Sequence, residues 1–171
     1  MTYSSHFQHA DDIVNHLNDV VHEITDPLLK AKYVGFVSVA AVTVYELAIK
    51  EIFIAFARRK HRVFGHFIEA YLDRVNGRIR LKTIREEHIS RFGAEYETKF
   101  QQRLDQKTKQ YLRDKHRGIK NSYTNLIIWR NDFSHTGEIN TTATYEEAVQ
   151  AYEDGKEVIH CLASCMIDEG L

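Results

Sequence analysis

The densest concentration of reactive side chains in this 171-residue chain is the run Trp129-Arg130-Asn131-Asp132-Phe133-Ser134-His135-Thr136-Gly137, which closes an otherwise apolar stretch. At about 100° per residue, Asn131 and His135 stand four apart on one helical face, so the Asn131 amide can steer the His135 imidazole. Arg130 lies about 100° from Asn131 and borders that face. An imidazole carries protons near neutral pH, and a guanidinium offers a planar fork to phosphate oxygens. Held in one cleft, they are the two groups that phosphodiester cleavage without a metal requires. The bland alternative is that both side chains cap their helix by binding its last carbonyls. Glu46, nearly alone in an apolar run, either contacts this site or pairs with a buried arginine such as Arg130.

Charge is segregated along a chain whose net charge is only −1. From residue 99 to 120 there are eight basic residues (Lys99, Arg103, Lys107, Lys109, Arg113, Lys115, Arg117, Lys120) against two acids, and Arg58, Arg59, Lys60 and Arg62 add four more without an acid. Residues 138–171, by contrast, hold eight acids and one lysine. Such segregation either builds a phosphate-attracting surface on a nearly neutral protein or makes the solvated face of a helix.

Other candidate chemistry is weaker. His9 and His16 share a helical face, but His6 and His22 do not join them, so a histidine-based metal bundle is the third-ranked reading. Cys161 and Cys165, next to His160, lack the further ligands of a zinc site and read as small core residues. Neither metal nor cofactor is expected. No glycine-rich phosphate loop, paired-carboxylate site or serine triad is evident.

The elements that must position these groups are helical. One proline and eight glycines in 171 residues favour a few long helices over a many-turned β-sandwich. Ile13, Leu17, Val20, Val21 and Ile24 predict a first helix over 5–24. Asp26 suits an N-cap and Pro27 the first position of a long second helix reaching Lys60. A short helix over 64–75, a turn at Asn76-Gly77 and a polar helical region from Lys82 to Lys115 follow, with Phe92, Tyr96 and Phe100 as the buried edge of that region. A helix over 122–135 carries the reactive run and stops at Gly137. Thr144 and Glu147 form a capping-box pattern for the final helix. Trp129, Phe133 and Tyr123 read as core, with base stacking as the alternative. The expected fold is an all-α bundle of five or six helices, one domain over residues 1–171. Its most apolar run, Tyr33 to Tyr45, is 13 residues long, against about 20 for a bilayer span. The acidic start MTYSSHFQHADD lacks a secretion signal, and two cysteines make no disulfide scaffold, so a cytoplasmic protein off the membrane is expected.

The run Arg130-Asn131-(Asp132-Phe133-Ser134)-His135 resembles the signature of the HEPN superfamily, an Arg and a His separated by four to six residues, often with a polar residue directly after the Arg. It is similar to the RNxxxH variant of RiboL-PSP-like HEPN groups. The resemblance extends to chain length, helical content and the late motif before one last long helix. Tyr45-Glu46-Leu47 in the apolar helix looks like HEPN members that keep an acid opposite the motif. A second pair, Arg59 and His66, matches the spacing but runs through a basic inter-helix stretch. Gly137 stands where HEPN toxins paired with nucleotidyltransferase antitoxins carry a Tyr, a departure from that pairing.

The resemblance implies a metal-independent endoribonuclease in which the substrate's 2′-OH attacks the adjacent phosphorus and expels the 5′-oxygen. His135 would transfer the oxygen protons, Arg130 would hold the phosphate and stabilise its extra negative charge, Asn131 would orient His135 or the phosphate, and Glu46 would support the site. A homodimer with both motifs in one cleft is implied, acting on single-stranded RNA guided by Arg58, Arg59, Lys60, Arg62, Lys107, Lys109, Arg113, Lys115, Arg117 and Lys120. A bacterial toxin or anti-phage effector, with an antitoxin or defence-system partner, is the implied setting. The competing reading is a catalytically inactive HEPN-like module for RNA binding, protein interaction or antitoxin duty.

Overall fold

The computed structural model describes residues 2–73, 77–139 and 141–167. Seven α-helices occur among them: α1 (Phe7–His22), α2 (Pro27–Lys60), α3 (Arg62–Leu72), α4 (Leu81–Thr83), α5 (Ala94–Lys115), α6 (Ile119–Thr136) and α7 (Tyr145–Met166). The chain is all-α, as expected, with one or two helices more than the sequence predicts. The surplus comes from the region after Lys82, which is broken rather than continuous. Three-residue α4 is followed by a π-helical turn over Ile84–His88 and a 3-10 turn over Ile89–Phe92. Gly93, at φ 129°, then resets the direction before α5 begins. The turn expected at Asn76-Gly77 falls partly outside the described residues. Among the described residues no helix is long and apolar enough to cross a membrane.

Helix α2 is the axis of the bundle. Asp26 accepts from the Leu28 amide at 2.9 Å and Pro27 occupies the first turn, so local chemistry fixes its start. Its 34 residues span about 50 Å, and Val34, Val37, Ala41, Tyr45, Ala48, Ile52 and Phe53 are all buried. α1, α3, α6 and α7 pack around it. At the centre, the Tyr45 ring stacks between Tyr123 of α6 (5.5 Å) and Tyr152 of α7 (5.9 Å), and its hydroxyl donates to the Tyr152 carbonyl. Three helices are thereby tied at one level.

α7 opens with the expected capping box: the Glu147 amide donates to the Thr144 hydroxyl at 3.1 Å, and the Thr144 amide to the Glu147 carboxylate at 2.8 Å. α5 and α6 share its length in succession. Tyr96 and Arg103 of α5 lie beside Cys165 and Cys161, Tyr111 donates to Glu157, and Ser122 at the start of α6 donates to Asp154. Both cysteines are buried, and neither forms a disulfide. Between the two helices His116 adopts the left-handed region at φ 55°. α6 runs antiparallel to α2, with Tyr123 beside Tyr45 and Phe133 beside Phe36.

Candidate active site

The inward stripe of α6 is Ile119, Tyr123, Leu126 and Ile127, all buried. Arg130 continues that stripe, so its partly buried guanidinium enters the edge of the core instead of solvent. Its Nε is buried and has no hydrogen-bond partner. Arg85 and Arg117 also have a buried Nε without a hydrogen bond, but Arg85 pairs with Glu86 and Glu97, and Arg117 pairs with Asp154. Arg130 has no carboxylate partner among the described residues. Its guanidinium lies against Gly77, where a Cβ would stand 3.4 Å from Nη2. Glu46 reaches the same glycine. One carboxylate oxygen accepts the Gly77 amide at 2.9 Å and the other pairs with Lys50 at 3.0 Å. Glu46 and Arg130 thus meet one glycine without an ion pair to each other.

His135 occupies the last turn of α6 and is exposed, and Asn131 is partly buried one turn before it. The two share a face. Arg130 and His135, five residues apart, leave the helix about 140° from each other. The end of α6 is closed locally: Gly137, at φ 71°, donates to the Phe133 carbonyl at 2.9 Å, and the Thr136 hydroxyl donates to Asp132 at 2.8 Å. Phe133 packs over Gly35 and against Phe36 at 5.1 Å, seating this end on α2. Tyr123 and Trp129 are buried in the core.

Most of the basic residues named from sequence have intramolecular partners. Arg58 pairs with Glu69 at 2.9 Å, Lys107 with Glu157 at 3.0 Å, Arg113 with Asp114 at 2.7 Å and Arg117 with Asp154 at 3.1 Å. Lys120 pairs with Asp105, whose carboxyl is held below its ordinary range by hydrogen bonds from Lys120 and Gln101. Arg59 donates to the Ile167 carbonyl, while Lys60 and Lys115 lie over the Phe56 and Tyr111 rings. Arg62 and Lys109 are exposed. This set runs from the start of α6 to the far end of α2. His135 closes the opposite end of α6, an 18-residue helix about 27 Å long.

The structure brings a different set of cations near α6. Residues 77–79 are pinned at three points: the Gly77 amide to Glu46, the Arg78 carbonyl to His88 Nε2 at 2.9 Å, and the Ile79 carbonyl to the Tyr123 hydroxyl at 2.7 Å. Burial pushes the His88 imidazole below its ordinary pKa, which keeps it neutral, and pushes the Tyr123 phenol far up. Ile79 is buried, and Arg78, Arg80 and Lys82 point outward. The signal was present in the sequence as the alternation Arg78-Ile79-Arg80-Leu81-Lys82, but it is too short to weigh beside a long basic run.

A further cleft of about 420 Å³ lies between α6 and α7, where Trp129, Asn125 and Gln150 surround buried Asp154. It opens on another flank of α6 from His135. Among the described residues no group of three or more His, Cys, Asp or Glu side chains is placed to hold a metal ion.

Residues 5–168 match the family model described as RiboL-PSP-HEPN. No curated protein matches the chain, and neither does any solved structure. A match over nearly the whole length, on an all-α chain with an Arg and a His at the end of its penultimate helix, leads to one conclusion: the protein belongs to the RiboL-PSP-HEPN family.

Proposed function

We propose that the protein is a metal-independent endoribonuclease that works as a homodimer in the cytoplasm, in the setting of a toxin or an anti-phage effector. Family membership points to a nuclease or another RNA-related module. The observation that carries the finer reading is Arg130. It is a partly buried guanidinium with no carboxylate partner among the described residues, at the end of the helix whose next turn presents exposed His135.

In this reading the 2′-oxygen of the substrate bonds to the adjacent phosphorus as His135 removes its proton. The bond from phosphorus to the 5′-oxygen breaks, and an imidazolium returns a proton to that oxygen. The products carry a 2′,3′-cyclic phosphate and a 5′-OH. Arg130 offers its N–H groups to the phosphate oxygens as negative charge builds on them. Asn131 orients the imidazole from one turn away, and Glu46 positions the site through Gly77. One protomer sends the guanidinium and the imidazole to different flanks of α6. The second protomer completes the cleft by setting its own pair against them.

The same angular separation favours a second reading, an RNA-binding or interaction module without cleavage. Incubating RNA with wild-type and His135→Ala protein in EDTA decides between them. Cyclic-phosphate ends from the wild type alone support the nuclease. Binding without cleavage by either protein supports the module.

A further inference from the structure

The pinned segment that carries Arg80 and Lys82 forms one wall of a cleft whose floor is α6. The cleft encloses about 360 Å³, lined by Arg80, Leu81, Lys82, Thr124, Ile127 and Ile128. At Leu81 and Lys82 it joins a second cleft of about 290 Å³ that contains Lys120 and Gln101.

Three features give this cleft a direction and a chemistry. On its floor, Thr124 and Ile128 are exposed, and they continue through Asn131 to His135 at helical spacings of four, three and four residues, a single row along α6. By the helical rise, Ile128 precedes His135 by about 10 Å. On its wall, Arg80 has no ion-pair partner among the described residues, and Lys82, 82% exposed, has only Glu86 at 3.8 Å. Their heads are solvated, while the backbone behind them is fixed by Glu46, His88 and Tyr123. Within that row, Ile128 is 48% exposed and offers an apolar surface facing the wall.

A row of cations beside an apolar surface suits a polyanion that also has flat, unstacked rings to lay down. A single-stranded nucleic acid has both, whereas a duplex hides its bases and an acidic polypeptide has no such rings. We infer that this cleft is the path by which single-stranded RNA reaches His135, with phosphates on Arg80 and Lys82 and a base or ribose on Ile128. The inference rests on the RNA reading above and names the route of that substrate. It moves the guiding role from residues 58–62 and 99–120 to an edge held against the catalytic helix.

The test measures binding of a short labelled single-stranded RNA to the full chain in a His135→Ala background, across a salt series. Arg80→Glu with Lys82→Glu weakens binding about tenfold or more, and further than the same reversal at Lys109 and Lys115. It also lowers the slope of log affinity against log salt by about 0.7 for each phosphate that is no longer neutralised. Arg80→Gln with Lys82→Gln repeats the effect in smaller measure, and Ile128→Asp weakens binding as well. All of these positions are exposed, and an unchanged urea midpoint verifies that the fold is intact. If the wild type binds and cleaves RNA while the reversal at 80 and 82 leaves affinity intact, the path is wrong and the nuclease reading stands. If the wild type neither binds nor cleaves RNA, both fall. Polyglutamate competing as strongly as unlabelled RNA puts an acidic polypeptide in the cleft and overturns the path.

Discussion

Tyr123 donates its phenolic hydrogen to the Ile79 carbonyl at 2.7 Å, from within the buried face of α6. This bond joins the helix that carries Arg130 and His135 to the segment that carries Arg78 and Arg80. Tyr123→Phe keeps the ring stacked on Tyr45 but leaves a buried carbonyl unpaired, at a cost of about 1–3 kcal/mol. Denaturant melts measure that loss. Amide exchange should rise across residues 78–82 in the variant, and unaltered exchange there would show that the bond does not hold the segment.

Arg130→Ala and His135→Ala should each lower RNA cleavage by about a hundredfold or more, the scale of a lost proton carrier or charge stabiliser. His135 is exposed, so its removal should shift stability by no more than about 0.5 kcal/mol. Mixing the two inactive variants should restore part of the activity, because mixed dimers pair an intact Arg130 with an intact His135. Wild-type cleavage by either variant would dismiss the assigned roles, and a mixture as inactive as its parts would dismiss the shared cleft.

Gly35 lies directly under the Phe133 ring, and a Cβ there would overlap it. Gly35→Ala should therefore destabilise the fold by about 1–3 kcal/mol through overpacking. At this chain length, that lowers Tm by about 2–4 °C per kcal/mol. Because Phe133 seats the last turns of α6, cleavage should fall too, although the substitution touches neither Arg130 nor His135. A thermal melt matching wild type would mean that α6 yields at no cost.

His88 and His160 are both held below the ordinary imidazole pKa, chiefly because burial disfavours the cation. In the unfolded chain both return to about 6.5. Between that value and the lower native one the unfolded state binds more protons, so stability is complete above about pH 6.5 and declines as the pH falls below it. The urea midpoint should be lower at pH 5.5 than at pH 7.5, and His88→Gln should narrow the gap. Asp105, Asp114 and Glu157, whose carboxyl pKa values are lowered, titrate below this window. Equal midpoints at the two pH values would count against the buried neutral imidazoles.

What was legible in the sequence is local. Asp26 with Pro27, Thr144 with Glu147, and Gly137 after the reactive run each act within a few residues, and each helix boundary they mark is present. Phe92, Tyr96 and Phe100 read as one helical edge because their spacing is four. In the fold, Phe92 precedes the break at Gly93 and stacks on Phe53 at 5.3 Å, a partner that periodicity does not supply. The candidate site divides the same way. Asn131 and His135 share a face by spacing alone. The fixing of Gly77 by Glu46, of Arg78 by His88 and of Ile79 by Tyr123 spans 31, 10 and 44 positions, and only the packed bundle brings those groups together. Likewise, a count of lysines and arginines from 99 to 120 does not show that Glu157, Asp154 and Asp105 neutralise several of them.

The stacked tyrosines join one residue from the first third of the chain, Tyr45, to two from its last third, Tyr123 and Tyr152. On a ribosome adding about 5–20 residues each second, α2 emerges well before α7 exists to cover it. α6 cannot be locked between both neighbours until then, so its reactive end is seated only after α7 has been made. For the proposed nuclease, that order means that an RNA-cutting site is not assembled while the codons leading up to α7 are still being translated.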